Sequence, residues 1–76
     1  MLIISQDMSK ITTDLNLHVE RTPFNDYAII STSVGGLGSY PTKEKAKNAL
    51  GKLAEAYQKD ACRGYEVFKM PADDEV

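Results

Sequence analysis

Hydrophobic and polar positions change their period along the chain, and the changes mark out its elements. Met1-Leu2-Ile3-Ile4 is a short apolar run that gives way to turn chemistry at Gln6-Asp7-Met8-Ser9. Residues 10–13, with β-branched Ile11, Thr12 and Thr13, predict a strand that folds back on the first as a hairpin. Leu15, Leu17 and Val19 then alternate with Asn16, His18 and Glu20. Period two places the aliphatics on one face and the polar trio on the other, the pattern of a half-buried strand with one wet face. Pro23 and Asn25-Asp26 interrupt it. Residues 27–34 resume as a strand. Gly35-Gly36 supplies the positive φ that both central positions of a tight hairpin turn require, and residues 37–40 return.

Beyond Pro41 the period becomes helical. Thr42 is a good N-cap, and Glu44 suits the positive end of the helix dipole. Ala46, Ala49, Leu50, Leu53, Ala54 and Tyr57 define one apolar stripe. Lys45, Asn48, Lys52, Glu55 and Lys59 fall opposite it, with Glu55 and Lys59 as an i,i+4 pair. Gly51 costs the helix about 1 kcal/mol relative to Ala, and marks either a close approach or a bend. Gly64 is the expected left-handed cap. Residues 65–68 predict a final strand with Tyr65, Val67 and Phe68 toward the core, and Pro71 ends it.

The implied class is α+β: a small antiparallel β-meander sheet packed by one amphipathic helix, with a final short C-terminal strand. Residues 1–70 read as a single domain and residues 71–76 as an acidic, frayed tail. The hairpins need no crossover, so a parallel doubly wound sheet is not expected.

Composition narrows the function classes. The chain has 76 residues, enough for one domain that buries only about 60% of its unfolded surface. Formal net charge is −2, which argues against a general nucleic-acid binder, whose affinity comes from neutralising phosphates. A lone cysteine, Cys62, forms no internal disulfide and no paired-thiol metal or redox motif, which fits a reducing compartment. Four apolar residues at the N-terminus are too few for a signal-peptide core, and no run approaches the length of a membrane helix. A cytoplasmic location is the expectation, with no cofactor, metal or membrane partner.

Candidate chemistry is sparse. Gly35-Gly36-Leu37-Gly38 is not followed by the Lys-Ser/Thr of a phosphate loop and is separated from the helix, so a hairpin turn accounts for it. His18, the single histidine, can be drawn into a triad with Ser5 or Ser31 and Asp14, but no nucleophile elbow or oxyanion motif accompanies it; a solvent-facing or interface role fits better. Cys62 sits near the negative end of the helix dipole, which disfavours a thiolate. Asp73, Asp74 and Glu75 lack the fixed spacing of a cation site. Lys43, Lys45, Lys47 and Lys52 are the one local basic concentration, with Tyr40 as the aromatic placed to stack on a base beside them. A solvated outer face is the plain alternative for those lysines.

Several segments are familiar in sequence. Met1-Leu2-Ile3-Ile4-Ser5-Gln6-Asp7, then Leu37-Gly38-Ser39-Tyr40-Pro41-Thr42-Lys43-Glu44-Lys45-Ala46-Lys47, and finally Val67-Phe68-Lys69-Met70-Pro71 occur in order. Together they resemble a group of small uncharacterised proteins from Gram-positive bacteria and their phages or prophages. The resemblance carries no catalytic residues to these positions. It implies origin on a mobile element, and small phage proteins often act by binding a host protein. The expectation is therefore a non-enzymatic interaction module that binds a protein partner or itself through open sheet edges, with Ile3 and Val67 as edge contacts. Nucleic-acid binding through the lysine face is the alternative, and a small enzyme the remote third.

Overall fold

A computed structural model describes residues 2–13, 15–59 and 67–76. In chain order these form β1 (Leu2–Ile4), β2 (Ile11–Thr12), β3 (Leu17–Arg21), β4 (Tyr27–Ser31), β5 (Gly35–Tyr40), α1 (Lys43–Lys59), β6 (Val67–Lys69) and a 3-10 turn at Asp73–Glu75. The α+β class holds, with a β3-β4-β5 meander packed by the helix. The strands divide into two three-stranded sheets, β2-β1-β6 and β3-β4-β5. In the first, β6 lies parallel to β1, with Ile3 opposite Phe68. A parallel pair needs a long crossover, and the meander and helix together provide it.

This topology corrects one expectation. β1 is the middle strand of its sheet, between β2 and β6, so Ile3 has no open edge and is fully buried. It also corrects the face expected for Val67. Phe68 shares the core face with Ile3 and packs against the core, whereas Val67 lies opposite Leu2 on the outer face and is exposed. Tyr65, Cys62, Gly64 and Asp14 lie outside the described residues.

The β4–β5 turn sits earlier than the glycine pair suggests. Thr32, Ser33 and Val34 make the loop, and Ser31 pairs with Gly35. The hydroxyl of Ser31 accepts the N–H of Ser33 at 3.2 Å, and Gly35 takes the left-handed φ of +81° that closes such a loop. Farther along, Ile29 pairs with Gly38 and Ile30 with Gly36, which leaves Leu37 as an inserted residue. This bulge puts Leu37 and Tyr40, three residues apart, into one core where strict alternation would separate them.

Thr42 caps the helix as expected: its hydroxyl accepts the Lys45 N–H at 3.1 Å. Ala46, Ala49 and Leu53 are buried and pack with Ile3, Ile29, Leu37, Tyr40 and Met70. Small residues in the first two turns bring the helix close over the sheet. Nothing among the described residues lies within 4 Å of where a Cβ on Gly51 would stand, so no close approach among them requires that glycine.

The two sheets are joined at Gln6. Its N–H donates to the Leu37 carbonyl at 2.6 Å, and its side-chain oxygen accepts the Ser39 N–H at 3.1 Å. Its amide nitrogen donates to the Pro71 carbonyl at 3.1 Å. The Tyr40 hydroxyl donates to that same carbonyl at 2.7 Å. One side chain therefore links the end of β1, the edge of β5 and the chain beyond β6. The acidic tail continues from this point: the Ala72 N–H donates to the Glu75 carboxylate, and Val76 packs on the core.

Candidate functional site

The lysines expected to form a basic face divide into two sets. Lys45 Nζ donates to the Asp73 carbonyl and Lys52 Nζ to the Glu75 carbonyl, both at 2.8 Å. Those ammonium groups hold the tail. Lys43 and Lys47 are exposed. Tyr40 does not stand beside them as a stacking platform. It is buried, and burial, followed by the nearby Glu75 and Asp73 charges, pushes its hydroxyl up to about 12. The expectation of base stacking by Tyr40 is thereby corrected: a ring enclosed in the core offers no face to a ligand.

The described residues of that triad, His18, Ser5 and Ser31, do not converge. Leu17 is opposite Ser31 and His18 opposite Ile30, so His18 and Ser31 are on opposite faces of one sheet. Ser5 belongs to the other sheet's hairpin. Its hydroxyl donates to Asp7 Oδ1 at 2.7 Å and accepts the N–H groups of Ser9 and Lys10, each at 3.0 Å. His18 Nε2 instead lies 3.7 Å from the Glu20 carboxylate, both exposed on the outer face of β3.

The apolar surface left uncovered is more informative. The helix stripe was expected to be buried through Tyr57, but its last two members are not. Ala54 is exposed and Tyr57 is 49% exposed. Leu15, read as the first inward residue of a strand, precedes β3 and is 46% exposed. Leu15, Leu17, Leu50, Leu53, Ala54 and Tyr57 line a groove of about 310 Å³ between β3 and α1. Phe24, in the turn after β3, is 84% exposed. A second patch lies on the outer face of the β1 sheet, where Leu2 pairs with Val67 and Ile4 with Ile11. Sequence periodicity shows which residues are apolar; it does not show which of them stay uncovered.

The groove borders a strand edge. β3 is terminal in its sheet, and the bonds flanking its ladder set its parity: Thr22 N–H donates to Asp26 O, and Thr32 N–H to Asn16 O. Even-numbered residues of β3 thus turn their backbone groups toward β4, and Val19 and Arg21 turn theirs outward. Among the described residues no strand lies beyond them. No protein-family model, no curated protein and no solved structure matches the chain.

Proposed function

We propose that this chain is a non-enzymatic protein-interaction module that captures an extended polypeptide segment along the edge of β3. The observation that carries this reading is the adjacency of an outward-facing strand edge and an apolar groove roofed by the helix. That pairing suits strand addition: main-chain bonds supply affinity, and pockets for alternate side chains supply selectivity. A captured strand places every second side chain over Leu17, Leu53 and Tyr57. The segment comes from a second copy of the chain or from a host protein. The resemblance to small proteins of Gram-positive bacteria and their phages favours a mobile-element origin and a cytoplasmic setting, with which the single cysteine agrees.

The nucleic-acid alternative rests on Lys43 and Lys47, because Lys45 and Lys52 already hold the tail and Tyr40 is enclosed. Two exposed lysines on a chain of net charge −2 are a small electrostatic footprint. Two variants separate the readings. Tyr57→Asp puts a charge in the groove, and Lys43→Glu/Lys47→Glu reverses the exposed basic pair. Sedimentation and co-purification with a partner should fail for the first and persist for the second. The reverse outcome would transfer the function to the lysine face.

A further inference from the structure

We infer that the strand captured at β3 is β3 of a second copy, antiparallel about a two-fold axis at Val19; this rests on the interaction reading above. The outward backbone groups of β3 belong to Val19 and Arg21 and to the Leu17 carbonyl. Centring the pairing on Val19 makes it a hydrogen-bonded pair that exchanges both N–H···O bonds with its own copy. Arg21 of each copy then donates to Leu17 of the other. A centre at Glu20 would make as many main-chain bonds, so the side chains decide between the two registers.

The side chains agree with that pairing. His18 of one copy stands opposite Glu20 of the other, and the reciprocal pair repeats across the axis. Within one chain His18 and Glu20 already lie 3.7 Å apart on this face. The four groups therefore alternate in character, the favourable arrangement for cross-strand neighbours. Shifting the centre by one residue either way sets Glu20 against Glu20 or His18 against His18. On the helix side, Arg21 of the second copy lies over Leu17 and Pro23 lies opposite Leu15. The turn from Thr22 to Asp26 of each copy then meets the other's groove. Phe24, 84% exposed in its own chain, then reaches the groove mouth at Leu15 and Tyr57. The alternation of His18 with Glu20 and the exposure of Phe24 are separate observations, and a second copy accommodates both.

The test uses sedimentation of the full chain across a concentration series, with hydrogen exchange of the β3 amides. The expected result is a dimer whose Val19 and Arg21 amides become protected as concentration rises. Val19→Pro removes an N–H that faces away from β4 and should weaken the dimer about tenfold or more while the fold survives. Glu20→Lys, on an exposed side chain, should weaken it as well. His18→Glu with Glu20→Lys restores alternation in the opposite sense and should recover association. A chain that stays monomeric into the millimolar range overturns the inference, and if it still binds another protein through Tyr57, the interaction reading survives. A dimer indifferent to both Val19→Pro and Glu20→Lys but lost in Ile11→Glu overturns it too, by assigning association to the outer face of the β1 sheet.

Discussion

Asp7 shows how much local order one carboxylate imposes on a four-residue turn. Its Oδ1 accepts the Ser9 hydroxyl at 2.6 Å, the Ser5 hydroxyl at 2.7 Å and the Ser9 N–H at 3.0 Å. These donors, the Ser9 hydroxyl foremost, hold its pKa near about 2, below the ordinary 3.8. Because the folded value is depressed, the contribution to stability is complete above the ordinary value and lost as pH falls through the folded one. Urea unfolding of Asp7→Asn beside the parent chain should show a gap at neutral pH that closes between about pH 4 and about pH 2. A gap that stays constant down to the lower limit would exclude the carboxylate as its cause. The sequence marks this stretch as a turn through its residue types. It does not show that Ser5, read as the end of a strand, bends its hydroxyl back to the same oxygen. The neighbouring Met8 at φ +64° is equally hidden, since nothing in a methionine signals the left-handed region.

At the scale of elements, legibility follows the length of the periodic signal. The helix was clear because its cap, its apolar stripe and its Glu55–Lys59 pair, 3.6 Å apart, all point to the same span. β3 was clear from the alternation of Leu17 and Val19 with His18 and Glu20. The β4–β5 turn was misplaced because Gly35-Gly36 resembles a two-residue loop, whereas Ser31 and Gly35 bracket a three-residue one. Gly51 shows the limit most plainly: its type is visible, but the empty space around it is not. That space yields a direct expectation. Gly51→Ala should raise stability by about 1 kcal/mol through helix propensity alone, read as a higher denaturation midpoint with an unchanged denaturant slope. Destabilisation instead would mean that an added methyl group meets something in solution, such as the second copy.

The whole molecule is held together by contacts that no local pattern encodes. Gln6 and Tyr40 meet at the Pro71 carbonyl, and both belong to segments distant in the chain from it. A glutamine in a turn and a tyrosine before a proline look unremarkable in sequence. Their convergence depends on the parallel β1–β6 pairing, which three-residue apolar strands cannot announce. Tyr40→Phe should cost about 1 kcal/mol or somewhat more, since it leaves a half-buried carbonyl with one donor fewer. The same variant should delete a step at about 12 from an ultraviolet titration of the tyrosines. If that step remains, the high-titrating hydroxyl belongs to another ring. The candidate site belongs to this scale as well. Each residue of the groove is apolar in the sequence, but its exposure depends on how β3 and α1 pack against each other.

The central position of β1 has a consequence for biosynthesis. Its hairpin with β2 forms from neighbours in the chain, but its other side waits for β6, which follows the meander and the helix. The nascent chain therefore carries Ile3 half-clothed while the meander and helix emerge, and final closure takes place only once translation has passed Lys69. Contacts between such distant segments are the slow ones. A chain truncated before Val67 would leave the β6 side of β1 open, and a holdase chaperone that recognises exposed aliphatic strands would find its target there.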